Sequence, residues 1–458
     1  MMKAASDDLI YFYALIGSFC GALLLRRCPP AYKCTLAGVA GVLLVTILCG
    51  RALVYSQLLI VVTLAIIRLV SRKYVHLASF VVSFVYLALF RFAPSLRLLP
   101  YPPHANAVQL FVTLRTIGVA FEIHDAPGDV SYSMVDLYCY LSSPYYTMNV
   151  FKDLQRIKAT ARSPLLEPVQ RLLIATAFYI AIFLVLSTYF SIEYMRSEAF
   201  YSPELHGFWF RFFYQMPVFC IFRMRVYTAW TLGTACCVAA GLGAYPVVTR
   251  PKIGQGPSDM EKFKQLRSTG HLEDAASLDW SFETVDNVDA YGVEFTLSHR
   301  ATLRCWNRSV QFWLASYVYR RIPKAVGMPV TMMVSAYWHG LHPGYYLSFL
   351  TVPLSVAVED ILYKAFRHPI SSSSVRDYSS QTGFGFVYYL FRWRGFETMA
   401  MGFLLLSAKD TIRYWASQYY YVHVILLTIL LAANARKMVS KRLKNENLGG
   451  EVEKEKAG

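Results

Sequence analysis

Leu53-Val54-Tyr55-Ser56-Gln57-Leu58-Leu59-Ile60-Val61-Val62-Thr63-Leu64-Ala65-Ile66-Ile67-Arg68-Leu69-Val70 is an apolar run whose one charge, Arg68, stands near its far end. As a helix it would rise about 27 Å, close to the ~30 Å hydrocarbon core of a bilayer. Similar runs lie on both sides, over 9–25, 34–49 and 77–92, with loops of a few residues between them. The series continues at 105–123, 169–190, 208–222, 226–245, 326–341, 347–366, 386–408 and 419–433. These runs predict an all-α fold, a polytopic transmembrane helical bundle of ten to twelve membrane segments in a single domain over residues 1–435.

Composition agrees with that reading. Of 458 residues 55% are hydrophobic and only 16% charged, against about 25% charged in soluble domains. Disorder is excluded, and an ordinary soluble enzyme is disfavoured. The net charge of +16 cannot sit in hydrocarbon and must line the membrane faces or a polar cavity; a membrane lipid environment is implied, and no nucleic-acid partner is expected. Arg26, Arg27 and Lys33 follow the first run and Arg68, Arg72 and Lys73 the third, whereas Arg51 alone follows the second. By the positive-inside rule the N-terminus faces the lumen. The basic stretch Lys152, Arg156, Lys158, Arg162 and the polar insertion around 247–298 then face the cytosol. So does the polar tail 436–458, where Lys454 and Lys456 stand where a dilysine retrieval address to the endoplasmic reticulum would. The nine cysteines include no CxxC pair and no His spacing suited to zinc, so they read as small core residues and no metal is expected.

Chemistry concentrates in two places. Ser335-Ala336-Tyr337-Trp338-His339-Gly340-Leu341-His342-Pro343-Gly344-Tyr345-Tyr346 puts a histidine at the end of an apolar run, where Gly340, Pro343 and Gly344 point to a broken helix lining a cavity. A histidine at membrane depth needs a partner, water or a task, and imidazole is the side chain suited to moving a proton near neutral pH. His342 reads as a structural contact within the break. Upstream, Leu303, Trp306, Val310, Trp313, Leu314 and Tyr317 recur at helical spacing with Arg300, Arg304 and Arg308 along a neighbouring stripe. This predicts one amphipathic helix with an arginine edge and Asn307 between its faces. Asn307-Arg308-Ser309 also fits the glycosylation pattern, but on the cytosolic side it cannot meet that machinery. His124 and Asp129 carry a His-x4-Asp spacing too common by chance to weigh.

The segments around Asn307 and His339 together resemble the membrane-bound O-acyltransferase family, and Trp338-His339-Gly340 followed by Gly344-Tyr345 resembles its lysophospholipid acyltransferase branch. Phe222-Arg223-Met224-Arg225-Val226-Tyr227-Thr228-Ala229-Trp230, Gly241-Leu242-Gly243-Ala244-Tyr245-Pro246 and Asp410-Thr411-Ile412-Arg413-Tyr414-Trp415-Ala416-Ser417 are similar to the lysophosphatidylinositol-acylating members. The resemblance implies a bundle enclosing a buried active-site cavity, acyl-CoA as co-substrate, a lysophospholipid as acceptor and no permanently bound cofactor. His339 would be the general base. Asn307 would orient the acceptor hydroxyl or stabilise the developing oxyanion. Arg300, Arg304, Trp306, Arg308, Trp338 and Tyr345 are the expected substrate-binding residues, the arginines for the phosphates of CoA. No G-x-S-x-G nucleophile elbow occurs, so direct transfer is the simpler scheme. The competing reading from another class is a transporter, but one conspicuous helix break without a matching second half argues against it.

Overall fold

The computed structural model describes residues 2–128, 132–142, 146–156, 164–273, 277–366 and 383–457. Outside them lie Asp129 of the His-x4-Asp spacing and Lys158 and Arg162 of the basic stretch; the side chains of Arg156, Lys454 and Lys456 are likewise outside the description. The described residues form almost only helix: α1 Met2–Arg27, α2 Pro30–Cys49, α3 Leu53–Leu69, α4 Val75–Phe92, α5 Pro103–Asp125, α6 Met134–Leu141, α7 Met148–Arg156, α8 Leu166–Tyr189, α9 Ile192–Arg196, α10 Glu198–Tyr201 and α11 Phe208–Ala240. After the insertion, whose own helix is α12 Met260–Ser268, come α13 Ala290–Phe295, α14 His299–Cys305, α15 Arg308–Tyr317, α16 Lys324–His339, α17 Pro343–Phe366, α18 Gly383–Leu405, α19 Ala408–Ser417 and α20 Tyr421–Ala457.

Among the described residues seven stretches are long and apolar enough to cross a bilayer: Leu9–Arg27, Pro30–Leu69, Val75–Phe92, Pro103–Asp125, Leu166–Tyr189, Pro343–Ala365 and Tyr421–Ser440. Pro30–Leu69 suffices for two passes and folds as α2 and α3, parted at Gly50 with φ of 53°. The polytopic helical architecture expected from the apolar runs is present, but this set is smaller than ten to twelve. The physical reason is charge and length. α11 carries Arg211, Arg223 and Arg225, α18 carries Arg392, Arg394 and Glu397, and α16 has only 16 residues. The runs 208–222 and 226–245 also differ from expectation. They belong largely to one 33-residue helix, about 50 Å long, because Arg223 and Arg225 interrupt hydrophobicity without breaking the backbone.

The helices pack into two compact units, each drawn from separate stretches of chain. The first comprises Met1–Val185, Ile221–Ala290 and Trp306–Gly327, the second Leu186–Cys220, Tyr291–Cys305 and Met328–Gly458. In the first unit the core gathers α2, α3, α5, α6 and α7 around Leu59, Tyr140, Met148 and Phe151, all fully buried. Opposite faces stay apolar yet exposed, as at Ile47, Leu69 and Ile174, which is what a helix bordering lipid presents. The insertion is a compact ledge of short elements. Tyr245–Pro246 pairs antiparallel with Trp280–Ser281, Pro251–Lys252 pairs with Gly256–Pro257, and Tyr245, Phe263 and Leu272 form its small core.

In the second unit α17 and α18 cross at glycines. The Gly344 N–H donates to the Leu406 carbonyl at 2.7 Å, and a Cβ on Gly344 would stand 2.2 Å from the Gly402 carbonyl oxygen. Small residues at such crossings let helix backbones approach where no hydrophobic force drives association. The same unit buries a polar network: Ser298 Oγ donates to Glu359 Oε1 at 2.7 Å, the His299 N–H to Glu359 Oε2 at 2.5 Å, and Arg394 to Glu397 at 2.6 Å. Arg392 donates to the carbonyls of Val293 and Glu294. Burial pushes the His299 imidazole down, against the pull of Glu359.

Candidate active site

Asn307 and the helix that follows it lie in the first unit. The expected continuous amphipathic helix is two helices, α14 and α15, and between them Asn307 takes the left-handed conformation, φ 43° and ψ 56°. Few residues besides glycine accept that region, and Asn is among them. The break corrects the arginine stripe, because Arg300 and Arg304 lie on α14 while Arg308 opens α15. Periodicity alone could not reveal it, since nothing in the apolar spacing is interrupted at residue 307.

Trp306 is half-buried, with ring centroids 5.0 Å from Trp230, 5.9 Å from Tyr227 and 6.2 Å from Phe222. Thus two stretches singled out in the sequence meet in space. α15 is pinned by Trp313, wholly buried, whose indole N–H donates to the Leu114 carbonyl of α5 at 2.9 Å. The carboxamide of Asn307 makes no capping bond to its own helix.

Arg308 turns to the ledge, where its guanidinium pairs with Glu283 and, at 3.2 Å, with Asp286. Burial, with Glu283 and Asp289 nearby, pushes the Asp286 carboxyl up to about 6, while Arg308 and Arg171 pull the other way. The unfolded value is about 3.9, so between about pH 4 and 6 the folded state binds more protons and stability falls as pH rises. About a third of the side chain stays exposed, and water screening makes the effect modest. In thermal melts, the Tm advantage of the wild type over Asp286→Asn should be larger at pH 4.5 than at pH 7, by about 1–3 °C. A difference independent of pH would refute the assignment.

His339 and its surroundings lie in the second unit. α16 ends at His339, Gly340 follows, and α17 starts at Pro343, so the broken helix expected there is present. His339 is half-buried in an aromatic box: Phe349 stacks at 5.3 Å, Phe403 stands edge-on at 5.0 Å, and Trp338 and Tyr345 lie at 4.5 and 5.9 Å. Phe403 follows Gly402, so the glycine crossing of α17 and α18 sets one wall of the box. Trp338 is buried, while His342 is exposed. Arg300 is engaged by both oxygens of Asp360 at 2.9 Å. Arg304 is exposed and, among the described residues, makes no ion pair.

Sequence reading missed Glu359, Arg392, Arg394 and Glu397. Their signal was ionisable residues inside apolar runs, which at membrane depth pair with one another or with backbone carbonyls. It missed Asn287 too, which carries no local signature.

The sequence profile of MBOAT, the membrane-bound O-acyltransferase family, matches residues 46–402. Membrane-bound acylglycerophosphatidylinositol O-acyltransferase MBOAT7 of Homo sapiens is 36% identical, over 93% of this chain and 93% of the human protein. Its counterpart in Bos taurus is 36% identical over 92% of both chains, and that of Caenorhabditis elegans 31% over 96% of this chain and 98% of the worm protein. With the profile spanning most of its length and the Trp-His-Gly helix end in its aromatic box, this chain is a member of the membrane-bound O-acyltransferase family.

Proposed function

We propose that the chain transfers a fatty acyl group from acyl-CoA to the free hydroxyl of lysophosphatidylinositol, as a phospholipid-remodelling enzyme of the endoplasmic reticulum membrane with a lumenal N-terminus and a cytosolic C-terminus. The observation that carries the reading is the likeness, along nearly the whole chain, to relatives named as acylglycerophosphatidylinositol O-acyltransferases. In the step itself the lysolipid oxygen attacks the thioester carbonyl carbon while its proton passes to the His339 imidazole. The C–S bond then breaks, and the CoA thiolate takes the proton back from the imidazolium. Products are phospholipid and free CoA, with no acyl-enzyme.

A general base of this kind contributes about 10²–10⁴-fold. The Asn307 amide, which makes no bond to its own helix, orients the hydroxyl or donates to the carbonyl oxygen as charge develops. Arg304 is the cation left for a CoA phosphate, because Arg300 and Arg308 are matched by carboxylates. Trp306, Trp338 and Tyr345 supply flat apolar surface to the substrates.

The test is a panel of lysophospholipids with one acyl-CoA, assayed in membranes bearing the protein. Lysophosphatidylinositol should exceed lysophosphatidylcholine and lysophosphatidylserine in kcat/KM by at least about tenfold. Equal use of the three would overturn the headgroup while sparing the family.

A further inference from the structure

An α-helix leaves its first N–H groups without intrahelical partners, and an asparagine at the N-cap ordinarily satisfies one of them with its own side chain. At the start of α15 that arrangement is absent. Asn307 stands at the N-cap position in the left-handed region and does not cap. Two of these donors go instead to one residue of the ledge: the Arg308 N–H donates to the Asn287 carbonyl at 2.8 Å, and the Ser309 N–H to Asn287 Oδ1 at 3.0 Å. All of these residues lie in the first unit.

The bond pattern is reciprocal. Arg308 reaches back to Glu283 and Asp286, so the segment 283–287 and the first turn of α15 clamp each other. That segment is itself fixed at two further points. Thr234 of α11 donates to the Val285 carbonyl at 3.2 Å, and the Gly254 N–H donates to the Thr284 carbonyl at 2.9 Å. The ledge therefore does more than connect helices.

We propose that Asn287 is a positioning residue for acyl transfer: by capping α15 in place of Asn307, it holds the left-handed turn and releases the Asn307 carboxamide for the substrate. The proposal rests on the reading of Asn307 as a substrate-touching residue. If the Asn287 side chain could not accept, the Asn307 amide would turn back onto its own helix, as N-cap asparagines do. The loss would fall on the chemical step rather than on substrate binding, because an interaction made in the transition state lowers kcat.

The experiment compares Asn287→Leu, which keeps bulk and removes the acceptor, with Asn287→Asp, which keeps an acceptor oxygen, and uses Asn307→Ala as reference. All are full-length proteins purified in detergent and checked for a monodisperse elution profile. Asn287→Leu should lower kcat at least about tenfold with both KM values within about threefold of wild type, and Asn287→Asp should restore kcat to within about threefold. A wild-type kcat in Asn287→Leu, or equal losses in Leu and Asp, overturns the positioning role. An active Asn307→Ala instead overturns the reading beneath it. Should Asn287→Leu not fold, the double variant Glu283→Gln with Asp286→Asn releases the same clamp through Arg308. It should show the same kcat loss at unchanged KM, and a wild-type kcat there is equally decisive against the proposal.

Discussion

Replacing His339 with alanine is expected to lower acyl transfer by at least about 10²-fold while leaving the protein inserted and folded. The ring sits at the last residue of α16, half-buried, so its removal opens no deep core. Its neighbours Tyr345 and Phe349 also pack on Phe403, with centroids 4.7 and 6.1 Å from it. What vanishes is the group proposed to take the hydroxyl proton, and a lysolipid hydroxyl near neutral pH is a poor nucleophile without it. The measurement is single-turnover transfer at saturating lysolipid beside a thermal melt of the same preparation. A normal rate with a normal melt would remove His339 from the mechanism.

The second large effect is expected from Gly344→Ala, far smaller in chemistry and aimed at backbone. The added Cβ would meet the carbonyl oxygens of Gly402 at 2.2 Å and Leu406 at 2.7 Å, and backbone atoms cannot swing aside as a side chain can. α17 and α18 must separate, an overpacking that costs about 1–3 kcal/mol. Separation also drags Phe403, 5.0 Å from the His339 ring, and misplacement of roughly 1 Å near a reacting centre can cost about 10²-fold in rate. We expect at least a tenfold activity loss together with a lowered Tm. Gly395→Ala, on the partner helix α18, is the control. Its Cβ would meet only His299 at 3.7 Å and Val422 at 3.8 Å, ordinary contacts, and alanine favours helix, so it should retain Tm and activity. If both alanine variants behave like wild type, the glycine crossing does not set the box.

Much of the candidate site was legible in one dimension. Gly340, Pro343 and Gly344 announced a helix end after His339, and α16 does stop there. The Trp-Asn and Trp-His-Gly stretches identified the family, since the chemistry needs those residue types in a fixed local context. The arginine stripe was misread for an equally physical reason. Spacing at i, i+4 and i+8 is evidence for one helix only if the backbone between stays helical, and the left-handed Asn307 is stabilised by a residue twenty positions upstream. Likewise Arg300 and Arg308 looked like cations awaiting phosphate, yet Asp360 and the pair Glu283 and Asp286 neutralise them.

The sequence by itself determined the membrane helical bundle, the family and the histidine at a helix end. Each of these follows from runs and motifs whose physics is local: hydrophobic length against bilayer thickness, helix-breaking glycine and proline, a titratable ring in an apolar stretch. Only the tertiary structure decided which polar groups are engaged, where α14 gives way to α15, and which backbones touch at Gly344 and Gly402. These depend on pairings between distant stretches, such as Asn287 with Ser309 or Trp306 with Trp230. No local pattern encodes them, because a hydrogen bond or a close helix crossing is fixed by both partners at once.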